Sequence, residues 1–403
     1  MSTQAAGDLW SELVGQERVV QTLKRAVAGE SHAMTHAWLV TGPPGSGRSN
    51  AARAFAAALQ CPRGGCGQCN ECRTSLSGAH PDVTLVRTEM LSIGVDEVRD
   101  LVRRAAMSPT LGRHQVIVVE DADRVTDRGG DALLKAIEEP APKTVWILCA
   151  PTADDVVVTI RSRCRKLALS TPSDQAVAQL LQWRDGIEPS VAAHAARAAQ
   201  GHIGRARVLA RNEDARNRRH AVLQIPGKLV SVGACLTAAD NLVKAAAEEA
   251  AKATAEMDAA ERAKLEEALG FGTKGARPRQ AAAALKELEE QQKARAKRFQ
   301  RDALDRVLTE LTTFYRDVLA LQTGAISAPM PAQALHSGMD ADQGPQLING
   351  EIRNQLEREA RGSTPERTLC HIDAIIACRE ALETNVAPLL AMEALLLELG
   401  EGR

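Results

Sequence analysis

The chain has 403 residues, enough for two or three domains and a sizeable core. Its 50 Lys and Arg against 51 Asp and Glu leave a formal net charge of −1, which excludes a global pull toward nucleic acid, so any such contact must come from a local patch. No run of about 18 apolar residues occurs and the N-terminus lacks a charged-then-apolar leader pattern, which sets the expectation of a soluble, cytoplasmic protein. Aromatic residues make up only 2% while hydrophobic residues reach 44%, so the core has to be built from Ala, Leu and Val, and a helix-rich chain follows.

Residues 1–169 alternate strand-like and helix-like runs. Strands are predicted at His36–Gly42, Asp82–Thr88, Gln115–Ala122 and Lys143–Ala150, each short, rich in β-branched residues and bounded by polar residues or Pro. Helical patterns such as VDEVRDLVRRAAM and DALLKAIEE separate them, so the expected fold is an α/β domain with a mostly parallel sheet covered on both faces. TPSD (Thr171–Asp174) is a turn and N-cap signal that opens a small helical module over 170–212, ending near QGHIGRARVLA. From 213 to 403 no strand pattern appears, and an all-helical domain is expected. Within it, 244–300 is dominated by Ala, Glu, Lys, Arg and Gln and reads as a long solvated helical hairpin, broken at GFGTKGARPRQ where Gly270, Gly272, Gly275 and Pro278 fall. Leu304, Val307, Leu308, Leu311, Phe314, Tyr315, Val318 and Leu319 form one apolar stripe at helical spacing. Residues 322–350 read as a loop, and NVAPLLAMEALLLELG as a final helix.

The stretch TGPPGSGRSN (Thr41–Asn50) is one residue away from the phosphate-loop pattern G-x-x-x-x-G-K-[ST]. Gly42, Gly47 and Ser49 hold their places, Gly45 adds a further glycine, and Arg48 stands where the lysine belongs. Such a loop works because successive backbone N–H groups and a helix N-terminus face an anion, while the lysine reaches the outer phosphates and the hydroxyl holds Mg²⁺. Arginine keeps the charge, but its planar fork is longer and wider than an ammonium, so binding of ATP or ADP is expected to be weak or absent and hydrolysis to suffer. A Gly/Pro-rich turn with no ligand is the plain alternative. After the strand VIVV an ATPase carries Asp then Glu, to support Mg²⁺ and to orient water. This chain has Glu120 then Asp121, the reverse order.

Nine cysteines are present, and four of them fall within twelve residues as C-x4-C-x2-C-x2-C: Cys61, Cys66, Cys69 and Cys72. An odd count with one tight cluster points to a metal site in a reducing compartment. Four thiolates suit a closed, structural Zn²⁺ site with no open position for chemistry; an iron–sulfur cluster and free thiols are the alternatives.

In order along the chain, LVGQERVVQTLKRAV, HAWLVTGPPGSGRS, the four-cysteine insertion, DALLKAIEEP, TIRSRC, GHIGRA and NVAPLLAMEALLLEL resemble the bacterial clamp-loader family of the AAA+ class, related to the DNA polymerase III holoenzyme. The resemblance implies an AAA+ domain, a helical lid and an all-α collar that joins a hetero-pentamer. It implies gamma/tau motor subunits and a delta subunit as partners, with a sliding clamp and primer–template DNA reached through the complex. Motor subunits hydrolyse ATP, whereas delta-prime subunits have a departed nucleotide site. Arg48, the Glu120–Asp121 order and Ala150, which stands where motors carry a sensing hydroxyl, put this chain with the delta-prime kind. On that basis the Ser-Arg-Cys arginine, Arg163, is expected to reach ATP on a neighbouring subunit as an arginine finger, with Arg161 its nearby competitor. Arg205 takes the second-sensor place, touching nucleotide or only packing the lid. The expected role is therefore a non-hydrolysing subunit. A gamma/tau-like motor, or another AAA+ ATPase that tolerates Arg48, is the alternative, and a zinc-dependent DNA-binding module is disfavoured because no basic helix accompanies the cysteines.

Overall fold

The computed structural model describes residues 9–269, 279–326 and 346–401, apart from residues 89, 91 and 385. Two compact units divide the chain, Met1–Arg211 and Asn212–Arg403. The first runs α1 (Glu17–Val27), β1 (Ala37–Thr41), α2 (Arg48–Gln60), α3 (Asn70–Ser77), β2 (Val83–Val86), α4 (Val95–Ala105), β3 (Gln115–Val119), α5 (Asp127–Glu138), β4 (Thr144–Ala150), α6 (Val158–Arg161), β5 (Arg165–Ala168), then α7 (Asp174–Asp185), α8 (Pro189–Ala199) and α9 (Ile203–Arg211).

The five strands form one parallel sheet in the order β2-β3-β4-β1-β5. Side chains alternate across it. Trp38, Val40, Val116, Val118, Val145 and Ile147 face α1 and α2, while Leu39, Ile117, Val119, Trp146 and Leu148 face α4 and α5. Both faces are thus dry, which is why β1, β3 and β4 are buried at every position and read as continuous apolar runs. The alanines of α2 let it lie close under the sheet, where Phe55 meets Trp38 edge to face with ring centroids 5.0 Å apart. An α/β reading of the sequence misses β5: as an edge strand it buries only Leu167, and its charged neighbours hide it. One of those neighbours, Arg165, lies 5.1 Å over the Trp38 ring and so ties the edge strand to β1.

Ser173 caps α7 as TPSD predicts, its Oγ accepting the Ala176 N–H at 3.2 Å.

The second unit contains α10 (Glu213–Leu223), α11 (Val232–Ala268), α12 (Arg279–Gln322), α13 (Arg353–Gly362), α14 (Pro365–Glu383) and α15 (Pro388–Gly400). The predicted apolar stripe is its core: Leu304, Leu308, Leu311, Phe314, Tyr315 and Val318 are all fully buried. Among the described residues no helix is long and apolar enough to cross a membrane. The charged stretch is a pairing of α11 with α12 as expected, although the residues of its break at 270–278, and 327–345 of the predicted loop, lie outside the described residues. Away from the core the two helices are joined by polar contacts. Buried Arg295 donates to Asp258 at 3.0 Å and to both oxygens of Glu261 at 2.8 and 2.9 Å, and Arg306 reaches Glu249 at 2.6 Å.

Arg295→Ala leaves two carboxylates without their shared donor, so a loss of about 1–3 kcal/mol in chemical unfolding of the full chain is expected. The hydrogen bond from Arg295 holds the Glu261 carboxyl below its usual range. That carboxylate therefore stabilises above the unfolded value of about 4.3, and the stabilisation fades as pH falls through the lower folded value. The variant should lack this part of the acid sensitivity, which a comparison of melting curves at pH 7 and in the acid range would read.

Candidate functional site

Because β1 lies between β4 and β5, its carboxyl end opens on a loop held from both sides. Gly42 N–H donates to Pro151 O at 3.1 Å, and Leu169 N–H donates to Thr41 O at 2.7 Å. Gly45 and Gly47 take φ of +82° and +94°, a region that side chains avoid, which is the backbone reason for glycine at these two places. α2 then starts at Arg48, with Ser49 half-buried in its first turn, so the helix N-terminus faces into the loop as a phosphate cradle requires. The Ser46 hydroxyl is buried and makes no hydrogen bond among the described residues. The loop backbone has the left-handed glycines and the following helix N-terminus that the phosphate-loop pattern calls for.

The side chains are arranged differently. Arg48 turns back and donates Nη1 to Gly42 O at 2.5 Å, spending its charge on the loop's own first carbonyl. Glu120 at the end of β3 is buried and paired with Arg53 of α2 at 2.5 Å, so the carboxylate nearest the expected Mg²⁺ place already has a cation. Asp121 follows at the start of a short turn, and burial pushes the neighbouring Asp123 carboxyl up. In register beside Val40 and Thr41, β4 contributes Cys149 and Ala150, both fully buried. Burial drives the Cys149 thiol upward, so it stays neutral, and neither residue offers a hydroxyl.

Arg205 belongs to α9, whose first turn comes up to this loop. Its backbone N–H donates to His202 Nδ1 at 3.2 Å, and the charges of Arg205 and Arg48 both act on that ring. Gly42, Gly45, Gly47, Arg48, Ser49, Glu120, Asp121 and Arg205 are therefore grouped around one end of the sheet. Arg53, Ser46 and His202 join them without having been singled out in the sequence. Arg53 and Glu120 are 67 residues apart, and nothing local announces their pairing.

Arg163 lies elsewhere, just past α6. Its contacts are Glu138 at 2.6 Å, Thr159 O at 2.8 Å and Ser162 Oγ at 3.2 Å, none of them in the loop. The side chain is 40% exposed and Glu138 39%, so the ion pair is worth at most about 1 kcal/mol and can be exchanged for an incoming anion. Arg161 is the less available of the two, 24% exposed and bonded to both Asp154 and the Ala153 carbonyl.

At the far end of α2, about 20 Å from the loop by helix rise over its 13 residues, the four cysteines converge. Every pair of their sulfurs lies within 4.8 Å, with Cys61 to Cys66 and Cys61 to Cys69 at 3.7 Å. A tetrahedral ion with bonds of about 2.3 Å places its sulfurs about 3.8 Å apart, so the set fits a metal ion of that kind. Gly64, Gly65 and Gly67 take positive φ and let the chain fold around the sulfurs. The N–H groups of Arg63 and Cys66 point at Cys61 Sγ and that of Cys69 at Cys66 Sγ, each at 3.4 Å. Those of Gln68 and Cys69 draw the Cys66 thiol down to about 6, the thiolate form that a metal needs. Cys69→Ser should lower bound metal, measured by plasma mass spectrometry on purified protein, from about one ion per chain to near none.

The family described as "DNA polymerase III, delta subunit" matches residues 15–173. DNA polymerase III subunit delta′ of Pseudomonas aeruginosa is 35% identical over 43% of this chain and 50% of its own length. The delta′ subunit of Bacillus subtilis is 29% identical over 54% of this chain and 66% of its own. DNA polymerase III subunit gamma/tau of Mycobacterium tuberculosis is 36% identical over 38% of this chain and 27% of its own. The chain thus spans from about a quarter to two thirds of the lengths of these relatives. Over residues 15–173 the chain is thus similar to delta′ and gamma/tau subunits of DNA polymerase III alike.

Proposed function

We propose that the chain is a clamp-loader subunit that does not hydrolyse ATP itself and lends Arg163 to an ATP held by a neighbouring subunit. The observation that carries this reading is the contrast between the arginines. Arg48 is bent onto Gly42 O and Arg53 is spent on Glu120, while Arg163 stands half-exposed on a weak ion pair. A guanidinium brought to a transferring phosphoryl group stabilises its developing charge. The partners this implies are gamma/tau motor subunits and a delta subunit, with the sliding clamp and primed DNA reached through the complex. Zn²⁺ on Cys61, Cys66, Cys69 and Cys72 would be structural, since four sulfurs leave no place for water.

A gamma/tau-like motor is the second reading, supported by the 36% identity to the mycobacterial gamma/tau subunit. It requires Arg48 to leave Gly42 O and Glu120 to leave Arg53 when nucleotide arrives.

In a complex reassembled with motor and delta subunits, Arg163→Ala should abolish turnover at the adjoining motor site, a loss on the order of 10³-fold at that site, and Arg161→Ala should cost far less. Equal turnover in the Arg163→Ala complex would reject the finger.

A further inference from the structure

The segment after Gln200 makes its closest approach to the phosphate loop at Gly45. A Cβ placed on Gly45 would lie 2.2 Å from His202 Cγ and 2.5 Å from its Cα and Cβ, far inside contact distance. The imidazole and its own backbone therefore rest directly on the loop. The ring is tied to the start of α9 by its hydrogen bond to Arg205 N–H. His202 is the residue before α9, its Nδ1 accepts the Arg205 N–H at 3.2 Å, its N–H donates to Ala199 O at 3.0 Å, and its carbonyl accepts from Ala206 at 2.9 Å. The ring lies beside Gly204, where a Cβ would make ordinary contact with His202 Cε1 at 3.4 Å. With Nδ1 accepting, the ring carries its proton on Nε2 and is neutral. Burial and then the charges of Arg205 and Arg48 keep it so, pushing its pKa down. An uncharged ring thus occupies ground within the field of two guanidinium groups, where an anion would otherwise be drawn.

We propose that His202 is the residue that holds nucleotide off this loop: capping α9, it fills the approach to Gly45 that nucleotide phosphates would need. The proposal rests on the reading of the loop as a relinquished nucleotide site, and it says what closes that site beyond the loss of the lysine. It also separates access from chemistry, because removing the ring restores room without restoring Lys, Asp-Glu order or a sensing hydroxyl.

The test is calorimetric titration of the full chain with ADP and with ATP. His202→Ser removes the ring and keeps an oxygen that can cap α9; His202→Gln keeps nearly the bulk of the ring. Wild type and the Gln variant should bind weakly, and the Ser variant at least about tenfold more tightly, with His202→Gly as a second small cap should the Ser variant not stay folded. Affinity of the small-cap variant within about twofold of wild type, or a Gln variant that binds as well as Ser, would overturn the seal. Hydrolysis is read separately. Tighter binding accompanied by turnover would keep the seal and refute the non-hydrolysing role, whereas tighter binding without turnover supports both.

Discussion

The burial of β1 on both faces, between parallel neighbours on both sides, is the constraint on which the site depends. A strand so placed cannot bend, and its last residue delivers the chain to one fixed point at the carboxyl edge of the sheet. α2 must then start there, because its alanine face has to return under the strand it follows. The loop between them is left with a short path that glycine alone fits at positions 45 and 47. From that arrangement come the glycine loop at one end of α2 and the four sulfurs at the other, carried on one helix.

Charge is disposed along the same lines. At the cradle the two cations of α2 each have a partner within the unit: Arg48 a carbonyl, Arg53 a buried carboxylate. Breaking the Arg53–Glu120 pair would leave a buried carboxylate uncompensated, a cost on the order of several kcal/mol that any bound Mg²⁺ would first have to offset. Arg163 is in the opposite situation, since both members of its pair are wetted and screened. A chain that had relinquished its own turnover while serving a neighbour's would be expected to show this distribution. It is the physical content of the function proposed here, beside a sequence similarity that motors and delta′ subunits share.

Much of this was legible in the sequence. β1 to β4 announce themselves as short apolar runs because both sheet faces are dry, and the cysteines because thiolate ligands must be close in space and the glycines between them make closeness in sequence sufficient. β5 escaped because an edge strand buries one residue in four, Leu167, and carries Arg165 and Lys166 outside. Arg53–Glu120 and His202–Gly45 escaped for a different reason. They join residues from separate elements, and their meeting follows from the stacking of helices on the sheet, which no local pattern encodes. The Arg48 substitution was visible, but that its fork would fold back to Gly42 O was not, because a side-chain direction is decided by which acceptor lies within reach.

The most direct measurement is steady-state ATP turnover by the purified chain alone, with and without primed DNA, beside a gamma/tau subunit as the positive control. Phosphate release is expected at the level of the buffer blank in both conditions. Turnover that tracks protein concentration and disappears in Arg48→Ala would contradict it, and would make this chain a motor whose loop arginine does the work of the missing lysine.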